Sequence, residues 1–289
     1  MPIDARTRLY LLLGNPVEHS LSPAMHNAAF TALGLNCVYL ACPVKKEHVG
    51  AAINGMRALS AGGANVTAPH KEDVISNLDS VSTEAARIKS VNTIINKNGR
   101  LYGTTTDGEG FYHYLKQIDP GYFSGHSILV VGAGGAARAV AYTLAEKGAE
   151  EIIIANRSAS RGKALSELLL ENTALPRSSN ISLEAQPISE VLGRCRLVVY
   201  SLPFDLLEFT TAISSIESLD YKQKLIDLRY QPEQSEVMQV FKRQGGDAHN
   251  GLGMLVWQAV KSFELFTGQE APVEVMLNAA GMKHSKPPG

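Results

Sequence analysis

The stretch Ile128-Leu129-Val130-Val131-Gly132-Ala133-Gly134-Gly135-Ala136-Ala137 decides the fold. Ile128–Val131 is short and wholly apolar, the pattern of a strand buried on both faces of a parallel sheet. The glycines that follow, in the spacing G-x-G-x-x-A, lead into a helical stretch that Gly148 stops. In the order strand, turn, helix, this pattern is a dinucleotide-binding signature. Gly132 permits the tight turn, Gly134 admits a pyrophosphate close to the backbone, and Ala137 lets helix and sheet approach. Gly132, Ala133, Gly134, Gly135 and Ala136 are therefore candidate cofactor residues, facing phosphate at a helix N-terminus. The next strand, Glu151–Ala155, ends in Asn156-Arg157-Ser158, with Arg161 a turn later. An NAD site places Asp or Glu about 20 residues after the glycines, to accept from the ribose 2′-hydroxyl. Asn156, Arg157, Ser158 and Arg161 instead suit a 2′-phosphate, which predicts NADP(H). The alternatives are a small-residue turn without a ligand and a solvated arginine pair.

Outward from this segment the chain alternates strands and helices, which predicts an α/β protein. Leu197–Ser201 and Lys224–Leu228 continue the same sheet. Before it, Tyr10–Leu13, Cys37–Ala41 and Gly63–Val66 read as strands. Thr93–Asn96 and Leu101–Thr104 flank the hairpin-like turn Lys97-Asn98-Gly99-Arg100. Ser22-Pro23 predicts a helix with Ser22 as N-cap; Glu47–Leu59 and Asp107–Gln117 are further helices. The breaker Asp119-Pro120-Gly121 marks a change of texture, and Met254–Phe266 and Val273–Met282 read as helices with no strand to feed. The expected organisation is a discontinuous domain over 1–106 and 252–283, a Rossmann-like domain over 107–251, and a frayed tail over 284–289. The C-terminal helices would pack back on the first domain.

One segment of the first domain carries chemistry. In Asn65-Val66-Thr67-Ala68-Pro69-His70-Lys71, Asn and Thr at alternate strand positions share a face. A lysine with three donors stands just beyond, after a proline bend that would hand over to a helix start. This suits a polyhydroxylated small molecule; the alternative is an ordinary strand-to-helix turn with a solvated lysine.

Composition narrows the classes. The chain has 289 residues, is 45% hydrophobic and 19% charged, and carries a net charge of −1. Two packed cores are within reach, and no basic field favours nucleic acid. No run of about 18 apolar residues predicts a membrane span, and the N-terminal residues lack a signal-peptide core. With 3 cysteines and no C-x-x-C, a reduced, cytoplasmic protein is expected. The 8 histidines form no set with metal-ligand spacing, so no metal is expected.

Taken in order, the motifs resemble the shikimate dehydrogenase family over nearly the whole chain. Gly14-Asn15-Pro16-Val17-Glu18-His19-Ser20-Leu21-Ser22-Pro23 and Met25-His26-Asn27 are similar to its N-terminal signature. Asn65-Val66-Thr67 to Lys71 resembles its catalytic-lysine motif, followed by Val91-Asn92-Thr93 and Thr106-Asp107-Gly108. Gly132–Ala136 and Asn156-Arg157-Ser158 match its cofactor motifs, and Gly251-Leu252-Gly253-Met254-Leu255-Val256-Trp257-Gln258 its last one. The resemblance implies reversible NADPH-dependent reduction of 3-dehydroshikimate to shikimate, in aromatic amino-acid biosynthesis. It implies Lys71 and Asp107 as the catalytic pair, with Ser20 and Ser22 on the substrate carboxylate. Asn65, Thr67, Asn92, Asp107 and Gln258 would meet the ring hydroxyls, and Tyr230 matches a further substrate-side position. Leu228 and Gly251 match positions near the nicotinamide. The chemistry agrees, because hydride delivery to a ketone builds charge on oxygen that a lysine beside a carboxylate can meet.

The chain departs from the family pattern at three places. Thr105 stands where the family usually has Asn. Tyr200-Ser201-Leu202-Pro203 replaces a small polar segment beside the nicotinamide. Arg229 adds a cation next to Tyr230. Tyr39 is either a core residue or a border of the pocket. Two other readings stay open: a paralogue acting on quinate or a related hydroxylated cyclohexane acid, and a catalytically idle NADP sensor. The expected partner is a small molecule, with no nucleic acid or membrane, and a homodimer is the candidate assembly.

Overall fold

Two six-stranded sheets organise the described residues. The structure, a computed structural model, describes residues 3–120 and 123–282. These divide into two compact units: one runs up to Gly110 and resumes at Leu255, and the other is Phe111–Met254. The divisions fall inside two helices, Asp107–Ile118 and Leu252–Thr267.

The first unit contains β1 (Arg8–Gly14), α1 (Ser22–Ala32), β2 (Cys37–Pro43), α2 (Val49–Ala58), β3 (Gly63–Val66), β4 (Ser80–Val81), α3 (Thr83–Ile88), β5 (Thr93–Lys97), β6 (Arg100–Thr104) and the start of α4 (Asp107–Ile118). Its sheet order is β2-β1-β3-β5-β6-β4. β1 is parallel to β2 and β3, whereas β5 runs antiparallel to β3 and β6. On one face Leu11, Leu13, Ile53, Met56, Val66 and Ile94 form the core. Tyr10 turns the other way, onto Phe30 and Phe266, so β1 is buried on both faces. Asn98 and Gly99 both have positive φ, 55° and 86°, as a tight turn matching the strand twist requires.

The second unit holds the rest of α4, then β7 (Ser127–Val131), α5 (Gly135–Glu146), β8 (Glu151–Ala155), α6 (Ala159–Asn172), β9 (Arg177–Ile181), α7 (Ala185–Leu192), β10 (Cys195–Tyr200), α8 (Leu207–Ser215), β11 (Lys224–Asp227), α9 (Glu236–Arg243) and β12 (Asp247–Asn250). All its strands are parallel, in the order β12-β11-β10-β7-β8-β9. Counting outward, this is the doubly wound order of a dinucleotide-binding fold, with β7 first. Leu129, Val131, Ile153, Val198 and Leu225 pack under Phe209 and Phe241. α10 (Leu252–Thr267) and α11 (Val273–Ala279) follow; from Leu255 onward they belong to the first unit, where the Tyr10 hydroxyl donates to the Phe266 carbonyl at 3.2 Å.

Several local expectations are corrected. Ser22 is the first helical residue of α1 and not its cap; its N–H donates to Ser20 Oγ at 3.2 Å. No helix starts at Lys71: the chain continues in turns, with only a short 3₁₀ stretch at Ile75–Asn77. The Lys71 carbonyl accepts from Val91 N–H at 2.8 Å, which removes it from any helical ladder. α2 begins at Val49, after a 3₁₀ turn over Lys46–His48, and α11 ends at Ala279. Edge strands β9 and β12 are polar and lack the apolar pattern by which strands are read. The tail over 284–289 lies outside the described residues. Cys37, Cys42 and Cys195 are free thiols. No helix among the described residues is long and apolar enough to cross a membrane.

Candidate active site

In the first unit Lys71 and Asp107 meet. Lys71 Nζ donates to Asp107 Oδ2 at 2.5 Å, with the two side chains 17% and 5% exposed. Asp107 is the first residue of α4, and its N–H reaches Thr105 Oγ1 at 3.4 Å. Thr105 thus works as a local cap acceptor, the use to which this departure is put.

Asn92 fixes the other carboxylate oxygen. Its Oδ1 accepts from Thr106 N–H and Thr93 Oγ1, both at 2.8 Å. A backbone donor can only face the amide oxygen, so the NH₂ end must point the other way. There it donates to Asp107 Oδ1 at 2.8 Å, with Thr106 Oγ1 at 2.9 Å and Gln258 Oε1 at 3.2 Å. Gln258, on α10, is oriented by its own donation to the Leu255 carbonyl at 2.8 Å. The result is a buried carboxylate with an ammonium on one oxygen and an amide on the other. Such a group can hold a hydroxyl, and the ammonium can donate to an oxygen that gains charge.

The neighbours differ in availability. β3 ends at Val66, but Thr67 continues its pairing with β1, its N–H donating to the Leu13 carbonyl at 2.9 Å, so Asn65 and Thr67 stand two residues apart on one extended segment. Asn65 is 5% exposed. Its Nδ2 donates to Ser262 Oγ at 2.9 Å and its Oδ1 accepts from Tyr39 OH at 2.8 Å. Tyr39 is therefore a core residue, stacked 4.4 Å from the His26 ring. Thr67 packs its methyl toward Gly14, and its hydroxyl has no partner among the described residues. Ser20 Oγ is engaged by Ser22 N–H, whereas the Ser22 hydroxyl has no partner among the described residues. The motif reading missed Ser262, whose buried hydroxyl meets Asn65, Thr93 and Thr106. Its signal was present: it lies four residues after Gln258, on the same helix face.

The second unit presents the glycine turn. Gly132 has φ +108°, and a Cβ there would lie 2.3 Å from Ser201 Oγ. Gly134 differs: its φ is −78°, and a Cβ would meet nothing within 4 Å. Nothing among the described residues requires glycine there, so the open space before the α5 N-terminus is available to a ligand backbone, as a pyrophosphate needs. Ala133, Gly135 and Ala136 are half-buried around it. Asn156 Nδ2 donates to the Ser158 carbonyl at 2.9 Å, and Ser158 caps α6. Arg157 and Arg161 are exposed and make no ion pair among the described residues. An open glycine position, a free helix end and unpaired guanidinium groups fit a dinucleotide carrying an extra phosphate. Gly251 has an internal reason: a Cβ would sit 2.2 Å from the Leu228 carbonyl oxygen. Tyr230 is half-buried in the segment after β11.

Two of the departures have partners within the chain. Tyr200 does not stand in a ligand space; its ring is fully buried, 5.1 Å from Phe209. Arg229 offers no spare cation, since Asp205 and Asp227 hold it at 2.8 Å and 2.6 Å.

Fold and sites together define a class, the two-domain α/β oxidoreductases with a Rossmann-like nucleotide domain. Family models agree along the chain: "Shikimate dehydrogenase substrate binding domain" over residues 12–94, "Shikimate / quinate 5-dehydrogenase" over 115–186 and "Shikimate 5'-dehydrogenase C-terminal domain" over 251–280. The shikimate dehydrogenase (NADP(+)) of Methanopyrus kandleri is 42% identical over 96% of each chain. Shikimate 5-dehydrogenase from Listeria monocytogenes, solved with shikimate and NAD, has a TM-score of 0.86 at 30% identity, over 96% of this chain and 98% of that one. The Thermus thermophilus enzyme, solved with NADP(H) and shikimate, has a TM-score of 0.81 at 33% identity, over 95% and 98%. The chain belongs to the shikimate dehydrogenase family.

Proposed function

We propose that this chain catalyses the reversible NADP(H)-dependent interconversion of 3-dehydroshikimate and shikimate. The observation that carries the reading is the buried Lys71–Asp107–Asn92 set, in which an ammonium and a carboxylate are held in register by an amide of fixed orientation. Within this reading the first unit binds substrate and the second binds NADP(H). Ser20 and Ser22 take the carboxylate, with the Ser22 hydroxyl the free donor. Thr67, Asn92, Asp107 and Gln258 meet ring hydroxyls, and Asn65 adds the spare lone pair of Oδ1. Tyr230, in the segment after β11 of the second unit, is the remaining position that matches a substrate-side residue of the family. Gly132, Ala133, Gly134, Gly135 and Ala136 cradle the pyrophosphate. Asn156, Arg157, Ser158 and Arg161 receive the 2′-phosphate, and Leu228 and Gly251 border the nicotinamide.

Bound NADPH supplies the hydride. Lys71 then donates to the carbonyl oxygen as it gains charge and passes a proton to it. Asp107 keeps the ammonium aimed and accepts from the adjacent hydroxyl. In the oxidative direction Lys71 receives that proton. Free thiols accord with a cytoplasmic setting.

The test is initial-rate formation of reduced nicotinamide, with shikimate and quinate run in parallel against NADP⁺ and NAD⁺. Turnover of shikimate with NADP⁺ well above the other three combinations is expected. A preference for quinate would move the substrate to that acid. NADPH binding with no turnover on either acid would make the chain a sensor.

A further inference from the structure

We propose that Arg229 is a positioning residue that locks the loop 201–206 in advance into the shape that receives the nicotinamide half of the dinucleotide. The inference rests on the functional reading above and concerns the second unit alone.

Topology places this loop at the ligand edge. In a doubly wound sheet ligands lie beyond the carboxyl ends of the strands, where the strand order reverses. Here the order reverses at β7, between β8 on one side and β10 on the other. One mononucleotide half belongs to β7 and β8, whose loops carry the glycine turn and Arg157. The loops after β10 and β11 therefore serve the other half. Contact confirms the placement of the loop against the turn. Ser201 Oγ donates to the Val131 carbonyl at 2.6 Å, and Leu202 Cδ2 lies 3.4 Å from where a Gly132 Cβ would be.

The loop is held from beneath by its own chain. Tyr200 ends β10, and its buried hydroxyl donates to the Phe204 carbonyl at 2.8 Å and accepts from Leu206 N–H at 3.0 Å. Arg229, just past β11, stacks its guanidinium 5.4 Å from the Tyr200 ring centre. Its Nη2 donates to Asp205 Oδ1 at 2.8 Å and to Asp227 Oδ2 at 2.6 Å, and its Nε donates to Asp227 Oδ1 at 3.0 Å. Asp205 Oδ1 also accepts from Val237 N–H, in the first turn of α9, at 3.2 Å. One guanidinium thus ties the loop after β10 to the end of β11 and the start of α9. Burial works against its charge, but the two carboxylates outweigh it and hold its pKa above the ordinary range. Burial also raises the Tyr200 hydroxyl, which stays a neutral donor. These departures from the family pattern, Tyr200 and Arg229, act as a single device. A loop ordered before binding costs less to order on binding.

The experiment compares NADPH affinity, by fluorescence titration, in the unaltered chain and in Asp205→Ala, Asp205→Asn and Arg229→Met, alongside KM for each substrate and thermal midpoints. Asp205→Ala frees the loop while Asp227 keeps its cation. Its Kd for NADPH is expected to rise about three- to tenfold, with KM for shikimate within about twofold. Asp205→Asn, which keeps an acceptor, is expected to recover part of the loss. Combining Asp205→Ala with Arg229→Met should add little further loss of affinity, as for residues acting on one link. A lowered thermal midpoint with unchanged Kd in the folded variants would make the cluster purely structural and overturn the proposal. If Asp205→Ala does not fold, an unchanged Kd in Asp205→Asn overturns it equally. No NADPH binding by the unaltered chain refutes the functional reading and this proposal together, whereas unchanged variants beside a binding parent refute the proposal alone.

Discussion

Replacing Gly110 by Ala tests whether the close approach of α4 and α10 sets the geometry around Asp107. Gly110 lies three residues after Asp107 in α4, within the first unit. A Cβ there would fall 2.5 Å from Gln258 N and 2.8 Å from its Cα. Ordinary contact begins near 3.4 Å, so the α10 backbone must retreat by roughly 0.9 Å. Backbone atoms cannot swing aside as a side-chain tip can. Overpacking of this kind costs about 1–3 kcal/mol, offset by the ~0.5–1 kcal/mol that Ala gains over Gly inside a helix. A net loss of about 0–2.5 kcal/mol in stability follows. The functional effect is larger. Gln258 Oε1 accepts from Asn92 Nδ2 at 3.2 Å, and a retreat of that size carries it out of hydrogen-bond range. A displacement of about 1 Å at an aligned site costs up to roughly 10²-fold in rate. We expect kcat/KM for shikimate to fall about 10- to 100-fold, with Kd for NADPH unchanged. The assay is steady-state oxidation of shikimate with a thermal melt on the same sample. Gly55→Ala in α2 is the control, because a Cβ there meets nothing within 4 Å; it should stabilise slightly and leave the kinetics alone. If Gly110→Ala keeps kcat/KM within twofold of the parent, the contact does not position Gln258.

Lys71→Met should lower kcat by about 10²–10⁴-fold while NADPH titration stays normal; near-normal turnover would remove Lys71 from the chemistry. Arg157→Ala should raise KM for NADP⁺ roughly tenfold or more, the worth of a charge-assisted contact, and leave KM for NAD⁺ unchanged; equal losses would show that Arg157 does not read the 2′-phosphate. Burial lowers the pKa of His26 from 6.5 to about 3, and neither ring nitrogen has a hydrogen-bond partner among the described residues. The unfolded chain therefore takes up this proton near pH 6.5 while the folded chain refuses it, so stability is full above that value and falls with pH toward about 3. Between pH 7.5 and 5.5 this costs about 1.4 kcal/mol, and denaturant midpoints at the two values should show His26→Phe losing less than the parent.

Much of this protein was legible from local pattern. The β7 segment, its glycine turn and the polar residues after β8 are contiguous in sequence, and each function there depends on a backbone conformation or charge that neighbouring residues set. The hairpin at Asn98-Gly99 was legible for the same reason. β9 and β12 were not, because an edge strand of polar residues is defined by its hydrogen-bonded neighbour and not by its own periodicity. Ser22 and Lys71 were misplaced by one rule each: cap propensity ignored the competing acceptor at Ser20, and helix-start chemistry ignored Val91, which takes the Lys71 carbonyl.

By itself, the order of residues determined the α/β class, the glycine turn, the charged residues that would suit an extra phosphate, and which polar side chains could form a site. These depend on composition, spacing and short-range conformation. Only the tertiary structure decided what each of those side chains does with its hydrogen bonds. Asn65 is engaged by Tyr39 and Ser262, Asn92 is turned to face Asp107, and Arg229 is consumed by Asp205 and Asp227. A buried polar group must be satisfied by whatever the fold brings beside it. Those partners lie up to 197 residues away in the chain, a distance over which no local pattern carries information.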